Sequence, residues 1–502
     1  MKKSILLSMM LFSSLGYTQV VDTATWTTQD IEKNFKKKYF CNKNLSKDDC
    51  DKNFRNMKEY GIDVNSLGNQ DIKDIQLDKI SYTATNSFPA TGEITSHVSG
   101  LVMLPDTNHP KGVVLYYHPT VFDNAGVPSN LDKKNETSLY LNTIYAAIYA
   151  ANGYIVVAPD YIGQGDDYKN YHPYVLYPKQ TINTAVDLLN NVSSNIRKKY
   201  SLKDNSTLNL FSVGYSEGGA YSIWTAKCLG WRGDCEGVDK LDILYRYRSA
   251  AGLSGAYDAS KTTLNFMTDN NNSSKYFLHS KLITSMLKPG LMANTFMSYL
   301  NYSNVSKTIS INDFDKGFFE MQCSTFSQEK CDIKGKRYNF DTLFLQKHLP
   351  NNQFAAAIFN SALYKKFPKQ ESASHYAIPT GNNSMYDLFN EKIFTNKELI
   401  ETMKAADIVD FGKKTRTPLY LFALKEDSIV TRLNYDKFMR NANANANAIV
   451  DGFILDNNKI LTNTTDWLPV QLDINEVDHV TGETYANLFA YKYIDDINKV
   501  YL

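Results

Sequence analysis

The chain has 502 residues, 43% hydrophobic and 21% charged, and its 54 Lys+Arg against 53 Asp+Glu leave a formal net charge of +1. That length and apolar content allow a large buried core and exceed one ordinary domain, while the near-neutral balance supplies no field favouring nucleic acid over other partners. No P-loop, dinucleotide fingerprint, zinc spacing or basic run with interleaved aromatics occurs, so no cofactor, metal or nucleic acid is expected.

At the start of the chain, Lys2 and Lys3 precede an apolar run over 5–15, with small Ser14 and Gly16 at its end. This pattern predicts a cleavable signal peptide over 1–18, hence a secreted or periplasmic protein. The run is too short for a membrane span, no cysteine follows it for lipidation, and no later stretch is long and apolar enough, so no stable membrane insertion is expected. Residues 19–78 are polar and charged with helix-like stretches, and read as an N-terminal extension.

Strand-like runs follow near 80–85, 93–104 and 112–117, then a helix over 138–152, a strand over 155–158 and a helix over 179–200. Further strands are expected at 208–213 and 249–255. This alternation predicts an α/β fold, with a mostly parallel central sheet flanked by helices on both faces. Over 259–406 the alternation lapses into helix-like runs such as 281–300, best read as a mainly helical cap inserted over the active site. Met286, Leu287, Met292 and Met297 either face an apolar substrate channel or form the cap's own core. The pattern resumes over 407–502, with a buried-looking strand at 419–424, the Asn-Ala tract 441–448 reading as a helix end, and an apolar-periodic last helix.

The six cysteines fall into near-neighbour sets: Cys41 with Cys50, Cys228 with Cys235, and Cys323 with Cys331. In an exported chain these predict three local disulfides; metal ligation has no C-x-x-C spacing or adjacent histidine to support it.

The most informative segment is Gly214-Tyr215-Ser216-Glu217-Gly218-Gly219, between the strand-like 206–213 and the helix-like 220–231. A sharp strand-to-helix turn crowds the backbone two residues either side of its serine, where Gly214 and Gly218 stand. Ser216 Oγ would project from both elements, and the Glu217 N–H would face a developing oxyanion from the positive end of a helix. Alone, the motif is equally a glycine-rich turn with a surface serine.

Two downstream residues supply partners. Asp427 lies just past the 419–424 strand, where its carboxylate can orient an imidazole; Glu426 competes, but the Asp427 to Val430 arrangement turns Asp427 into the loop. His479 lies late in the chain, in a loop before the last helix. His109 sits in a turn, His348 precedes a proline and His375 lies in a polar stretch, so none has that context. The order Ser216, Asp427, His479 is the nucleophile, acid, base order of one catalytic architecture.

With these residues the chain resembles the α/β-hydrolase superfamily, in particular its secreted lipase and esterase branch with a large insert before the acid. The resemblance covers 79–502 and also rests on KGVVLYYHPT (111–120) and NGYIVVAPDYIGQGDD (152–167). It implies a core over 79–258 and 407–502 with the cap at 259–406, and makes Asp160 a structural turn residue. The turn after the 112–117 strand would carry the second oxyanion donor. His118-Pro119-Thr120 departs there from the glycine-rich versions, and the Thr120 N–H is the expected donor because Pro119 has none. His118 either lines the pocket mouth or caps its strand, and 171–174 either walls a pocket or packs as core. The function implied is carboxylic-ester hydrolysis through an acyl-enzyme, on a small-molecule or lipid ester. The same constellation also serves secreted aminopeptidases and prolyl peptidases, and a catalytically silent binding protein can be built on the same scaffold.

Overall fold

The computed structural model describes residues 18–41, 45–69, 71–121, 125–233, 235–268, 291–292, 294–296, 298–304, 395–460 and 477–501. Nine strands among them form one sheet in the order β1-β2-β3-β5-β4-β6-β7-β8-β9. They are β1 (Gln19–Thr27), β2 (Asp74–Phe88), β3 (Gly92–Pro105), β4 (Gly112–Tyr117), β5 (Tyr154–Pro159), β6 (Leu208–Tyr215), β7 (Tyr245–Leu253), β8 (Leu419–Leu424) and β9 (Val450–Leu455). β1 to β3 run antiparallel, as does the β3–β5 pair, and every pair from β5 through β4 to β9 is parallel.

The parallel strands β4, β5 and β8 are buried at every position and are apolar runs because both faces of the sheet are covered there. Their alternate residues divide between two cores. Val113, Leu115 and Tyr117 of β4 and Leu419, Leu421 and Ala423 of β8 join α4 (Pro178–Lys199) and α5 (Glu217–Leu229) on one face. Val114, Tyr116, Tyr420, Phe422 and Leu424 join α3 (Glu136–Ile148) and the last helix (Gly482–Tyr501) on the other.

The expected N-terminal extension contributes to this architecture. β1 pairs with β2 at the sheet edge, and Ile31 of α1 (Thr28–Asn34) and Met57 of α2 (Lys47–Glu59) enter the second core. Polar, exposed QVVDTATWT carries little strand signal because only Trp26 is buried. The expected 78/79 boundary falls inside β2, and β9, with its half-buried VDGFIL, was likewise not anticipated.

Of the region expected to form a cap, the described parts are 259–268, 291–304 less Ala293 and Met297, and 395–406. They include α6 (Leu264–Thr268) and α7 (Lys397–Ala405), and Met292, Phe296, Tyr299 and Met403 pack into the first core. α8 (Leu433–Asn443) ends inside the Asn-Ala tract, and α9 is the last helix. Disulfides join Cys41 to Cys50 and Cys228 to Cys235. The expected signal peptide up to Tyr17, the Cys323–Cys331 pair, His348, His375, Met286, Leu287 and Met297 lie outside the described residues. Among the described residues no helix is long and apolar enough to cross a membrane.

One buried acid strains this core. Glu483, in the first turn of α9, is 2% exposed among tyrosines, and the Tyr116 hydroxyl donates to it at 3.1 Å. Burial, only partly opposed by that hydrogen bond, pushes its carboxyl up to about 8. Unfolding exposes an acid that ionises near the ordinary 4.5. Stability therefore falls as pH rises from there towards 8, where the folded state also ionises. Glu483→Gln, which keeps the neutral shape, is expected to match wild type near pH 4.5 and exceed it by roughly 3–5 kcal/mol at pH 8. Urea unfolding of both proteins across that range measures the divergence, and parallel curves would contradict it.

Candidate active site

Ser216 sits between the end of β6 and the start of α5 with φ 56° and ψ −117°, a conformation rarely adopted by residues with a side chain. Neighbouring strands hold it there: the Ser216 N–H donates to the Leu253 carbonyl at 2.8 Å, and the Ser254 N–H to Phe422 at 2.8 Å. A Cβ on Gly214 would collide with the Gly218 carbonyl, and one on Gly218 with the Tyr117 carbonyl oxygen. The two glycines thus let the β6–α5 turn close on itself and the residue 117–120 turn lie against it. Ser216 occupies the N-cap position, yet its hydroxyl does not cap the helix.

That hydroxyl instead meets His479 Nε2 at 2.8 Å, and His479 Nδ1 meets Asp427 Oδ2 at 2.8 Å. All three side chains are largely shielded from solvent, at 8%, 5% and 2% residue exposure for Ser216, His479 and Asp427. Asp427 Oδ1 accepts the N–H groups of Ile429 (2.9 Å) and Val430 (2.8 Å), which locks the carboxylate in its loop. The residues brought together lie 211 and 52 positions apart, 216 to 427 and 427 to 479. Asp427, and not Glu426, bonds the histidine.

The histidine loop is fixed by groups that sequence reasoning did not single out. Tyr215 OH donates to the His479 carbonyl at 2.5 Å. Asn457 Nδ2 donates to the carbonyls of Glu426 (3.0 Å) and Val477 (2.7 Å), tying the aspartate loop to the histidine loop. Asp478 accepts from the Val480 N–H at 2.9 Å, and burial raises its carboxyl to about 6. For Tyr215 the available signal was its place before the nucleophile. For Asn457 there was none.

The predicted oxyanion residues also converge. Glu217 is the first residue of α5, so its N–H has no partner within the helix. The Thr120 hydroxyl donates to Glu217 Oε2 at 2.7 Å and lies 3.3 Å from the Tyr174 hydroxyl. Glu217 Oε1 also accepts from Tyr221 OH at 2.7 Å and faces His172 Nε2 at 2.5 Å. Burial would raise this carboxyl, but the His172 ring and the two hydroxyls outweigh it and hold the acid below its ordinary range. An acidic residue opening the apolar EGGAYSIW run was the sequence signal for such buried partners.

His118 is fully buried, stacked 4.0 Å from the Tyr161 ring, and burial drives its imidazole down to about 4. It therefore packs inside the turn as a neutral ring and does not line a pocket mouth. Asp160 accepts from Ser99 Oγ (2.6 Å) and the Ser129 N–H (2.9 Å), as a turn residue would. Within 171–174, His172 and Tyr174 are buried. Among the described residues, no group of three or more His, Cys, Asp or Glu side chains is placed to hold a metal ion.

No family model matches the sequence, and no curated protein matches it. Solved structures do. A Legionella pneumophila protein assigned as a hydrolase superposes with a TM-score of 0.54 at 18% identity, over 95% of this chain and 97% of that one. The rice cell wall degrading esterase LipA from Xanthomonas oryzae superposes with a TM-score of 0.52 at 15% identity, over 84% and 91%. Together with the strand order, these likenesses establish the α/β-hydrolase fold.

Proposed function

We propose that this chain of α/β-hydrolase fold is an exported serine hydrolase that cleaves carboxylic esters of small molecules or lipids through an acyl-enzyme. The observation that carries the reading is the continuous path from Ser216 Oγ through the His479 ring to Asp427, each link at 2.8 Å. In this mechanism His479 Nε2 takes the Ser216 proton as Oγ attacks the ester carbonyl. Asp427 keeps the other ring nitrogen protonated and stabilises the imidazolium that results. The N–H groups of Glu217 and Thr120 receive the oxyanion. His479 then protonates the leaving alcohol, and a water attacks the acyl group by the same route to release the acid.

The core runs from the edge strand β1 to residue 258 and resumes over 407–502, with 259–406 as its cap. Export is supported by the two disulfides, which persist in oxidising compartments.

The test joins labelling to a substrate panel. A fluorophosphonate should form one adduct, on the peptide carrying Ser216, and nitrophenyl esters should turn over well above aminoacyl and prolyl anilides. Faster anilide cleavage would convert the reading to a peptidase. Absence of both adduct and turnover would leave a binding scaffold.

A further inference from the structure

We propose that Glu217 and His172 are positioning residues, a buried pair that clamps the turn bearing Thr120 onto the first turn of α5 and so sets the spacing of the two oxyanion donors. The inference rests on the ester-hydrolase reading of this site. Thr120 and Glu217 come from segments 97 residues apart, and the shortest tie between them is the Thr120 hydroxyl on Glu217 Oε2 at 2.7 Å. Rotation of the Glu217 carboxylate would break that tie, and two other contacts oppose it. Oε1 is held by His172 Nε2 at 2.5 Å and Tyr221 OH at 2.7 Å, with both side chains of the Glu217–His172 pair 1% exposed. The opposite end of the turn is pinned as well, because Tyr161 OH donates to the His118 carbonyl at 2.8 Å.

His172 is itself fixed. Its ring lies parallel to Tyr161, 5.3 Å away at 6°, and its Nδ1 faces the Ile162 carbonyl at 3.0 Å. The neighbouring residues are tied to the 298–302 segment, where Ser298 Oγ donates to the Pro173 carbonyl and Tyr302 OH to the Tyr171 carbonyl.

The pairing also solves an electrostatic problem. A lone carboxylate beside an oxyanion hole would repel the charge that develops there. Since a carbonyl accepts only from a protonated nitrogen, His172 Nδ1 carries a proton, and the contact between Nε2 and Oε1 requires a second. The pair is therefore net neutral, and it stiffens the site without opposing the oxyanion. Preorganised donors act on the transition state more than on bound substrate.

Three variants test the clamp: Glu217→Gln, which alters its charge, Thr120→Val, which removes the hydroxyl but keeps the N–H, and the double variant. Each single change is expected to lower kcat roughly 10- to 100-fold, with KM within about threefold of wild type. Affinity for a trifluoromethyl ketone, which forms an oxyanion on the serine, should fall in step with kcat/KM. The double variant should be little worse than either single, because both break one linkage. Thr120→Val keeps the side-chain shape but leaves Glu217 Oε2 without its donor, so a modest loss of stability is expected, and a cooperative unfolding transition above the assay temperature separates positioning from misfolding. Wild-type kcat and ketone affinity in both single variants would overturn the clamp, as would lost turnover with ketone affinity unchanged. Full turnover by Ser216→Ala would instead overturn the reading on which the clamp rests.

Discussion

Replacing Ser216 by alanine is expected to lower ester turnover by roughly 10⁶-fold, the scale seen when a nucleophile is removed from a serine, histidine, aspartate unit. The loss should appear in kcat, because the oxyanion donors and whatever binds the acyl group remain. His479→Ala should cost about as much, since Ser216 Oγ then loses the acceptor at 2.8 Å that takes its proton. The double variant should be no worse than either single, because the two residues act as one device. Stability should hardly change: the Ser216 hydroxyl does not cap α5, and the turn is held by its backbone bond to Leu253. Progress curves with a nitrophenyl ester, alongside thermal unfolding, measure both quantities. A folded Ser216→Ala protein within tenfold of wild-type kcat would place the nucleophile elsewhere.

Asp427→Asn is expected to lower kcat roughly 10⁴-fold while leaving the fold intact. The direction follows from which atom the amide must present. In the wild type, Oδ1 accepts two backbone N–H groups, from Ile429 and Val430, and Oδ2 accepts from His479 Nδ1. An asparagine here must keep its oxygen on the two N–H groups, since its NH₂ would face two donors. The NH₂ then points at His479 Nδ1 and requires an unprotonated nitrogen there. This moves the ring proton to Nε2, where it faces Ser216 Oγ and cannot accept a proton. The serine, the histidine and the geometry survive, and only the tautomer is wrong. Measurement of kcat near neutral pH with a parallel unfolding curve checks this, and a loss below about tenfold would show that Asp427 does not set the tautomer.

Legibility in the sequence depended on how local each physical requirement was. LYLFAL could be assigned to 419–424 because a parallel strand covered on both faces must be apolar at every position, and β8 occupies those residues. The same rule hides strands that are not covered. β1 is mostly exposed and β9 half-buried, so QVVDTATWT and VDGFIL show neither a continuous apolar run nor a clean alternation. The β6–α5 turn was legible because its crowding is resolved by Gly214 and Gly218, within two residues of the serine. The partners of the Glu217 carboxylate were not, because only Tyr221 lies on the same helix, while Thr120 and His172 come from segments 97 and 45 residues away.

By itself the sequence determined the βα alternation, the glycine-flanked serine, and the order of an acid and a histidine downstream. Each of these is imposed within a few residues, by backbone sterics at the turn or by the period of a buried strand or helix. The tertiary structure alone decided that Asp427 and not Glu426 meets His479, that Asn457 joins their two loops, and that a neutral Glu217–His172 pair braces the residue 118–120 turn. Those outcomes depend on angstrom-scale distances between groups dozens to hundreds of residues apart, set by how the sheet and its two covering layers pack. Neither spacing nor composition encodes such distances, because a carboxylate costs the chain the same local conformational freedom whichever partner it eventually finds.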